Sequence, residues 1–163
     1  MELEKLFQMQ KGLDRHIEEK HQLQDKDLFD KKVLALLVEI GELANETRSF
    51  KFWSVKPSSA KEVILEEFVD GIHFILSLGI ELGFEKRQFD LNENETTLDV
   101  TEQFIAVYEL INIFQKSKGF EDYSKLFAAY LQLALSLGFK NEEMEQAYFR
   151  KNEVNYLRQQ NNY

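Results

Sequence analysis

Apolar residues recur at helical spacing along almost the whole chain. Leu3, Leu6, Phe7, Met9, Leu13 and Ile17 form one broad stripe, which predicts a first helix ending near Gln24. Asp27 or a neighbour opens the next, and Phe29, Val33, Leu36, Leu37, Ile40 and Leu43 carry it to about Thr47. Residues 48–58 read as a loop, with the chain's one proline at position 57. This loop holds Phe50, Lys51, Phe52 and Trp53, an unusual content for a segment expected on the surface. Ser58 or Ser59 can cap a third helix that has Glu62 in its first turn. Val63, Leu65, Phe68, Val69, Ile72, Phe74, Ile75 and Leu78 take that helix to about Gly83. The polar segment 90–97 reads as a second loop. A fourth helix is predicted from Asp99 to about Lys118, with Gly119 closing it, and a fifth from about Glu121 to Leu137, closed by Gly138. Asn141 can cap a last helix that reaches about Arg158. No strand pattern emerges. The expectation is an all-α antiparallel bundle of about five or six helices with some long connections, in a single domain spanning 1–163.

Composition narrows the function classes. The chain has 163 residues, 44% of them hydrophobic and 14 of them phenylalanine, which is enough for a core and argues against disorder. Twenty Lys+Arg against 29 Asp+Glu leave a formal charge of −9, so non-specific binding to a nucleic-acid backbone is not expected. With no cysteine, disulfides and thiolate metal sites are excluded. The first residues do not resemble a signal peptide, and no apolar run approaches membrane-spanning length. A cytoplasmic protein without membrane association is the expectation.

Two acidic steps stand out against this apolar background. Glu39 and Glu42 lie three residues apart in the second helix, and Glu67 and Asp70 lie three apart in the third. Each pair therefore shares one helix face. The plain alternative is that both pairs face water on an acidic protein. Against it, Gly41 and Ala44 flank the first pair, and Gly71 follows the second in mid-helix, where glycine costs roughly 1 kcal/mol relative to alanine. Such residues leave room for close packing or for a ligand. Carboxylates converging on an interior need protons or a cation between them, and oxygen-only ligands suit a divalent ion and phosphate chemistry.

The segments Leu37-Val38-Glu39-Ile40-Gly41-Glu42-Leu43-Ala44-Asn45-Glu46, Phe50-Lys51-Phe52-Trp53-Ser54 and Glu66-Glu67-Phe68-Val69-Asp70-Gly71-Ile72-His73-Phe74 resemble those of the dimeric, all-α dUTPases. That family falls within the MazG-like nucleoside triphosphate pyrophosphatases. Leu6 to Asp14 resembles the family's base-binding segment, and Tyr148 to Gln159 resembles its phosphate-binding helix. The resemblance implies Mg2+ held by Glu39, Glu42, Glu67 and Asp70, with Glu39 or Glu42 orienting or deprotonating the attacking water. It also implies phosphate contacts from Lys151, Asn155 and Arg158, which fall at i, i+4 and i+7 on one helical face. Base and sugar contacts would come from Gln10, Asp14, Asn45, Trp53, His73 and Phe74. Asp14 stands where some relatives have asparagine, and an ionised carboxylate cannot donate to a base.

The implied activity is Mg2+-dependent hydrolysis of dUTP, and of dUDP, to dUMP, limiting uracil incorporation into DNA. A MazG-like housecleaning pyrophosphatase for dCTP or modified nucleotides would use the same carboxylates with a different base pocket. A non-catalytic helical interaction protein, with acidic faces that only keep it soluble, is the alternative of another class. The resemblance also implies a homodimer. Phe104, Tyr108, Phe114, Phe127, Tyr130 and Phe139 are the apolar residues from which an interface could be drawn.

Overall fold

A computed structural model describes residues 1–91 and 96–163. They form six helices: α1 (Leu3–Lys20), α2 (Phe29–Thr47), α3 (Lys61–Glu81), α4 (Val100–Ser117), α5 (Phe120–Ser136) and α6 (Asn141–Gln160). No strand occurs among the described residues. The fold is all-α, as the periodicity predicts. Of the expected loop over 90–97, residues 92–95 lie outside the described residues, and those on either side are non-helical.

Helix α3 is the spine. From Ile64 to Gly79 it is buried on most of its circumference, against α2, α1, α6 and α5. The contacts fix the direction of each helix. Pairings of Glu46 with Ser59 and of Glu81 with Lys32 make α2 antiparallel to α3. By contrast, Gln10 meets His73, Asp14 meets Ser77, Lys61 meets Glu143 and Lys151 meets Asp70. Helices α1, α3 and α6 therefore run the same way and in register, which brings polar residues from three helices to one level. Helices consecutive in the chain alternate in direction except α3 and α4, and the long connection 82–99 accommodates that exception.

Tyrosines lock the layers together. Tyr130 and Tyr123 of α5 are fully buried and donate their hydroxyls to the carbonyls of Phe68 and Ile75 at 2.7 Å. A Cβ at Gly71 would lie 2.2 Å from the Tyr130 hydroxyl, and one at Gly79 would lie 2.3 Å from that of Tyr123. The mid-helix glycines are thus explained by close packing. Gly41 is approached in the same way by Tyr108 of α4, which donates to the carbonyl of Leu37 at 2.9 Å.

Helix ends differ from expectation in small, physical ways. Ser59 does not cap α3. Its hydroxyl and backbone N–H instead bond Glu46, tying the loop to the end of α2, and Ala60 takes the cap position. The left-handed residue after α4 is Lys118 (φ 51°), while Gly119 has φ −84° and leads into α5. Asp99 caps α4 through a reciprocal pair with Glu102, and Gly138 (φ 82°) follows α5 as predicted. Phe104, Phe114, Phe127, Tyr130 and Phe139 are core residues, and of the expected interface set only Tyr108 is partly exposed.

Candidate active site

The two acidic steps converge. Carboxylate oxygens of Glu39, Glu67 and Asp70 lie within 4.8 Å of one another, and all three residues are half-buried. Opposite ligands of one ion with oxygen bonds of about 2.1–2.6 Å are separated by roughly 4.2–5.2 Å, so the three oxygens fit a single hard divalent cation. Glu42 is more exposed and hydrogen-bonds Glu39. The charges resist one another. Burial, and then the charges of Asp70, Glu42 and Glu67, push Glu39 up to about 7. Burial is also the leading cause of the upward shifts of Glu67 and Asp70, the latter opposed by Lys151. A bound cation would relieve this repulsion, which is a second sign that the donor set fits one.

Glu39 and Asp70 open onto a cavity of about 350 Å3 between α1, α2, α3 and α6. Its size falls within the usual range for small-molecule sites. Asn155 and Arg158 of α6 line it beside the carboxylates, and Gln10, Asp14, His73 and Phe74 line it from α1 and α3. Tyr163 also lines it, with its ring 5.2 Å from the Arg158 guanidinium. Glu42 and Glu67 line a separate, more open depression together with Asn45.

A buried hydrogen-bond chain fixes the deeper part of the cavity. Gln10 donates its amide to Asp14 Oδ1 at 2.8 Å, and Ser77 donates to Asp14 Oδ2 at 2.7 Å. This orients the Gln10 carbonyl oxygen toward Tyr148, whose hydroxyl donates to it at 2.9 Å, and toward His73 Nδ1 at 2.7 Å. Because that oxygen can only accept, Nδ1 carries the His73 proton and Nε2 keeps its lone pair. Nε2 is buried without a partner among the described residues, and the ring stacks on Tyr148 with centroids 4.4 Å apart. Burial and the nearby Lys151 push His73 down to about 3, so the ring is neutral. Burial also raises Asp14, whose two hydrogen bonds oppose the shift.

The chain belongs to the all-α dUTPase family. A family model described as dUTPase matches residues 2–163. No curated protein matches the chain. Membership of the dUTPase family makes the chain a dUTP diphosphatase, a nucleoside triphosphate pyrophosphohydrolase, and sets aside the reading as a non-catalytic interaction protein. No helix among the described residues is long and apolar enough to cross a membrane.

Other expected dUTPase site residues fall elsewhere. Trp53 is 65% exposed on the 48–60 connection, packed on Phe50 and Phe52 and outside the cavity. Arg48 braces that connection by donating to Ser54 Oγ and to the carbonyl of Lys56. Asn45 accepts from Lys51. Lys151 is buried in ion pairs with Asp70 and Glu66. Ser77, Tyr148 and Lys32 also belong to this region and are not visible as site residues in the sequence. Lys32 lines the cavity's far end, 2.7 Å from Glu81 and 3.5 Å from Glu18. Two of the three carried a signal: Ser77 is a lone polar residue inside an apolar run one turn after His73, and Lys32 lies seven residues before Glu39 on the same face.

Proposed function

We propose that this dUTPase hydrolyses dUTP, and dUDP, to dUMP with Mg2+ as cofactor, as a cytoplasmic homodimer that limits uracil incorporation into DNA. The observation that carries the reading is one cavity joining two corners of the three-carboxylate cluster, Glu39 and Asp70, to Asn155 and Arg158. A small polyanion needs positive charge and amide donors on one side, and an acidic cluster that can hold a cation on the other.

Glu39, Glu67 and Asp70, with Glu42 at their edge, would hold the ion. When bound, Mg2+ polarises phosphate oxygens and offsets charge on the departing pyrophosphate. Glu42, the more exposed carboxylate at the edge of the cluster, or Glu39 orients the attacking water and takes its proton. As the water oxygen bonds to phosphorus, the phosphoanhydride bond breaks and the electron pair leaves with pyrophosphate from dUTP, or with orthophosphate from dUDP. Arg158 and Asn155 bind phosphate oxygens, joined by Lys151 once it leaves Asp70. The unpartnered His73 Nε2 accepts from a sugar hydroxyl, and Phe74 packs beside the sugar or base.

Gln10 and Asp14 shape the base end chiefly through each other, since the amide of Gln10 is already used in three hydrogen bonds. Trp53 and Asn45 reach a bound nucleotide only if the loop or the partner subunit moves toward the site. The homodimer draws on the exposed apolar residues Leu34 and Val38 of α2 and Ile105 and Ile113 of α4.

The test is pyrophosphate release from each dNTP with and without Mg2+. Selective, metal-dependent turnover of dUTP is expected, and a preference for dCTP would transfer the reading to the housecleaning class. Asp70→Asn and Glu42→Gln should each lower kcat by about 100-fold or more, the range expected when a general base or a charge-stabilising group is lost. Retention of full activity by either would remove that residue from the mechanism.

A further inference from the structure

Asp70 is claimed twice. It is one corner of the three-carboxylate cluster, and it also accepts from Lys151 Nζ at 2.7 Å. The same ammonium lies 3.0 Å from Glu66 Oε1. The Lys151 side chain is only 9% exposed, Asp70 is 18% exposed and Glu66 is 60% exposed. Among the described residues, Lys151 is the cation that ion-pairs with the cluster. A divalent ion entering at Asp70 would meet this ammonium, so the two positive charges cannot share that oxygen without mutual repulsion.

We propose that Lys151 is a built-in counter-cation that stands in for the metal on Asp70. It yields that position when metal and nucleotide phosphate arrive together, with Glu66 as the positioning residue on which it pivots. This rests on the metal-dependent reading above and adds to it. In the metal-free protein Lys151 neutralises a carboxylate that would otherwise be buried among like charges. The stem swings away while the ammonium keeps Glu66, an exposed carboxylate outside the cluster, as its remaining partner. A phosphate oxygen then replaces Asp70 as its second partner. Metal and nucleotide are thereby coupled through one side chain, each freeing what the other needs, and the coupling must be reciprocal. Metal alone binds weakly, so the free enzyme does not hold an ion tightly without substrate.

The experiment is calorimetric titration of Mg2+ into the full chain, with and without a non-hydrolysable α,β-imido analogue of dUTP. Wild type should bind Mg2+ more tightly when the analogue is present. Lys151→Met should bind Mg2+ alone about 10-fold more tightly than wild type, within the usual span of site-to-site coupling, and show a smaller tightening by the analogue. Lys151→Arg keeps the charge and grips Asp70 with a fork of donors, so it should bind Mg2+ alone more weakly. Glu66→Gln leaves the ammonium wholly on Asp70 and should weaken Mg2+ alone by roughly 2–5-fold, the scale of an exposed ion pair. A purely structural role for Lys151 would lower thermal stability without tightening the metal. Unchanged or weaker Mg2+ binding in a folded Lys151→Met overturns the proposal, as does unchanged binding in Lys151→Arg. Asp70→Asn separates the levels: if it keeps wild-type Mg2+ affinity, the metal site itself is misplaced and both readings fall. If it loses Mg2+ while the Lys151 variants match wild type, only the exchange is wrong.

Discussion

Glu39 carries the most informative charge in the molecule. Half-burial and three neighbouring carboxylates raise it to about 7 from an ordinary 4.5. The direction of the consequence follows from proton binding. Below about 4.5 both folded and unfolded chains hold the proton, and the stabilisation is fully present. As pH rises toward 7 the unfolded chain releases it first, so stability is lost across that window. Glu67 and Asp70 are raised as well and act in the same sense. Compared with Glu39→Gln, the melting temperature of the metal-free wild type should therefore slope downward as pH rises from about 4.5 to about 7. Saturating Mg2+ should flatten or reverse the slope, because the ion binds the ionised carboxylates. The same pH dependence in wild type and variant would mean that Glu39 is not the titrating group. His73 acts in the opposite sense: burial lowers it to about 3 from an ordinary 6.5, so between those values only the unfolded chain binds the proton and stability rises with pH, in wild type and Glu39→Gln alike.

At the scale of helices, glycine placement separates two kinds of contact. Gly71 sits under the Tyr130 ring, and an added Cβ would fall 2.2 Å from a hydroxyl that is itself bonded to Phe68. Gly71→Ala must displace a fully buried tyrosine, at a cost of about 2–3 kcal/mol from overpacking and a lost hydrogen bond. Gly12 is exposed, and its Cβ would meet only the tip of the half-buried Tyr156 at 3.1 Å. Gly12→Ala should lie within about 1 kcal/mol of wild type and on the stabilising side, through helix propensity. Denaturant melts of the two variants check both signs, and equal destabilisation would reject this distinction.

The same contrast shows what the sequence can reveal. Helix positions and the acidic pairs were legible because apolar spacing and i,i+3 geometry are local. The turn at Lys118 was not, since either Lys118 or Gly119 could take the left-handed conformation. Nor were Ser77, Tyr148 and the pairing of Lys151 with Glu66 and Asp70. They depend on α1, α3 and α6 lying parallel and in register, a tertiary relation that no single helix encodes. Gly71 was legible as a need for space, but not as space for Tyr130.

For the whole molecule, the remaining question is what covers α2. Leu34 and Val38 are 63% and 50% exposed, and Ile105 and Ile113 on the adjacent α4 are 65% and 42% exposed. Isolated exposed apolar residues are ordinary, but neighbouring ones on two packed helices form a candidate contact face. Val38 also borders the open depression that holds Glu42 and Glu67. A second copy seated on this face would place its own surface beside the more exposed carboxylates and shield them from water, where charge interactions strengthen. Sedimentation equilibrium should therefore report a dimer for wild type. Leu34→Glu combined with Ile105→Glu should convert it to a folded monomer, because charges buried without partners oppose association. The monomer should retain its circular dichroism spectrum, since neither side chain contributes to the core. Its activity separates two cases. Loss along with the dimer would mean that the second copy completes the carboxylate side of the site, and retention would confine the interface to assembly. A dimer that persists in the double variant would place the interface elsewhere, leaving the exposed aromatic loop around Phe52 and Trp53 as the next surface to test.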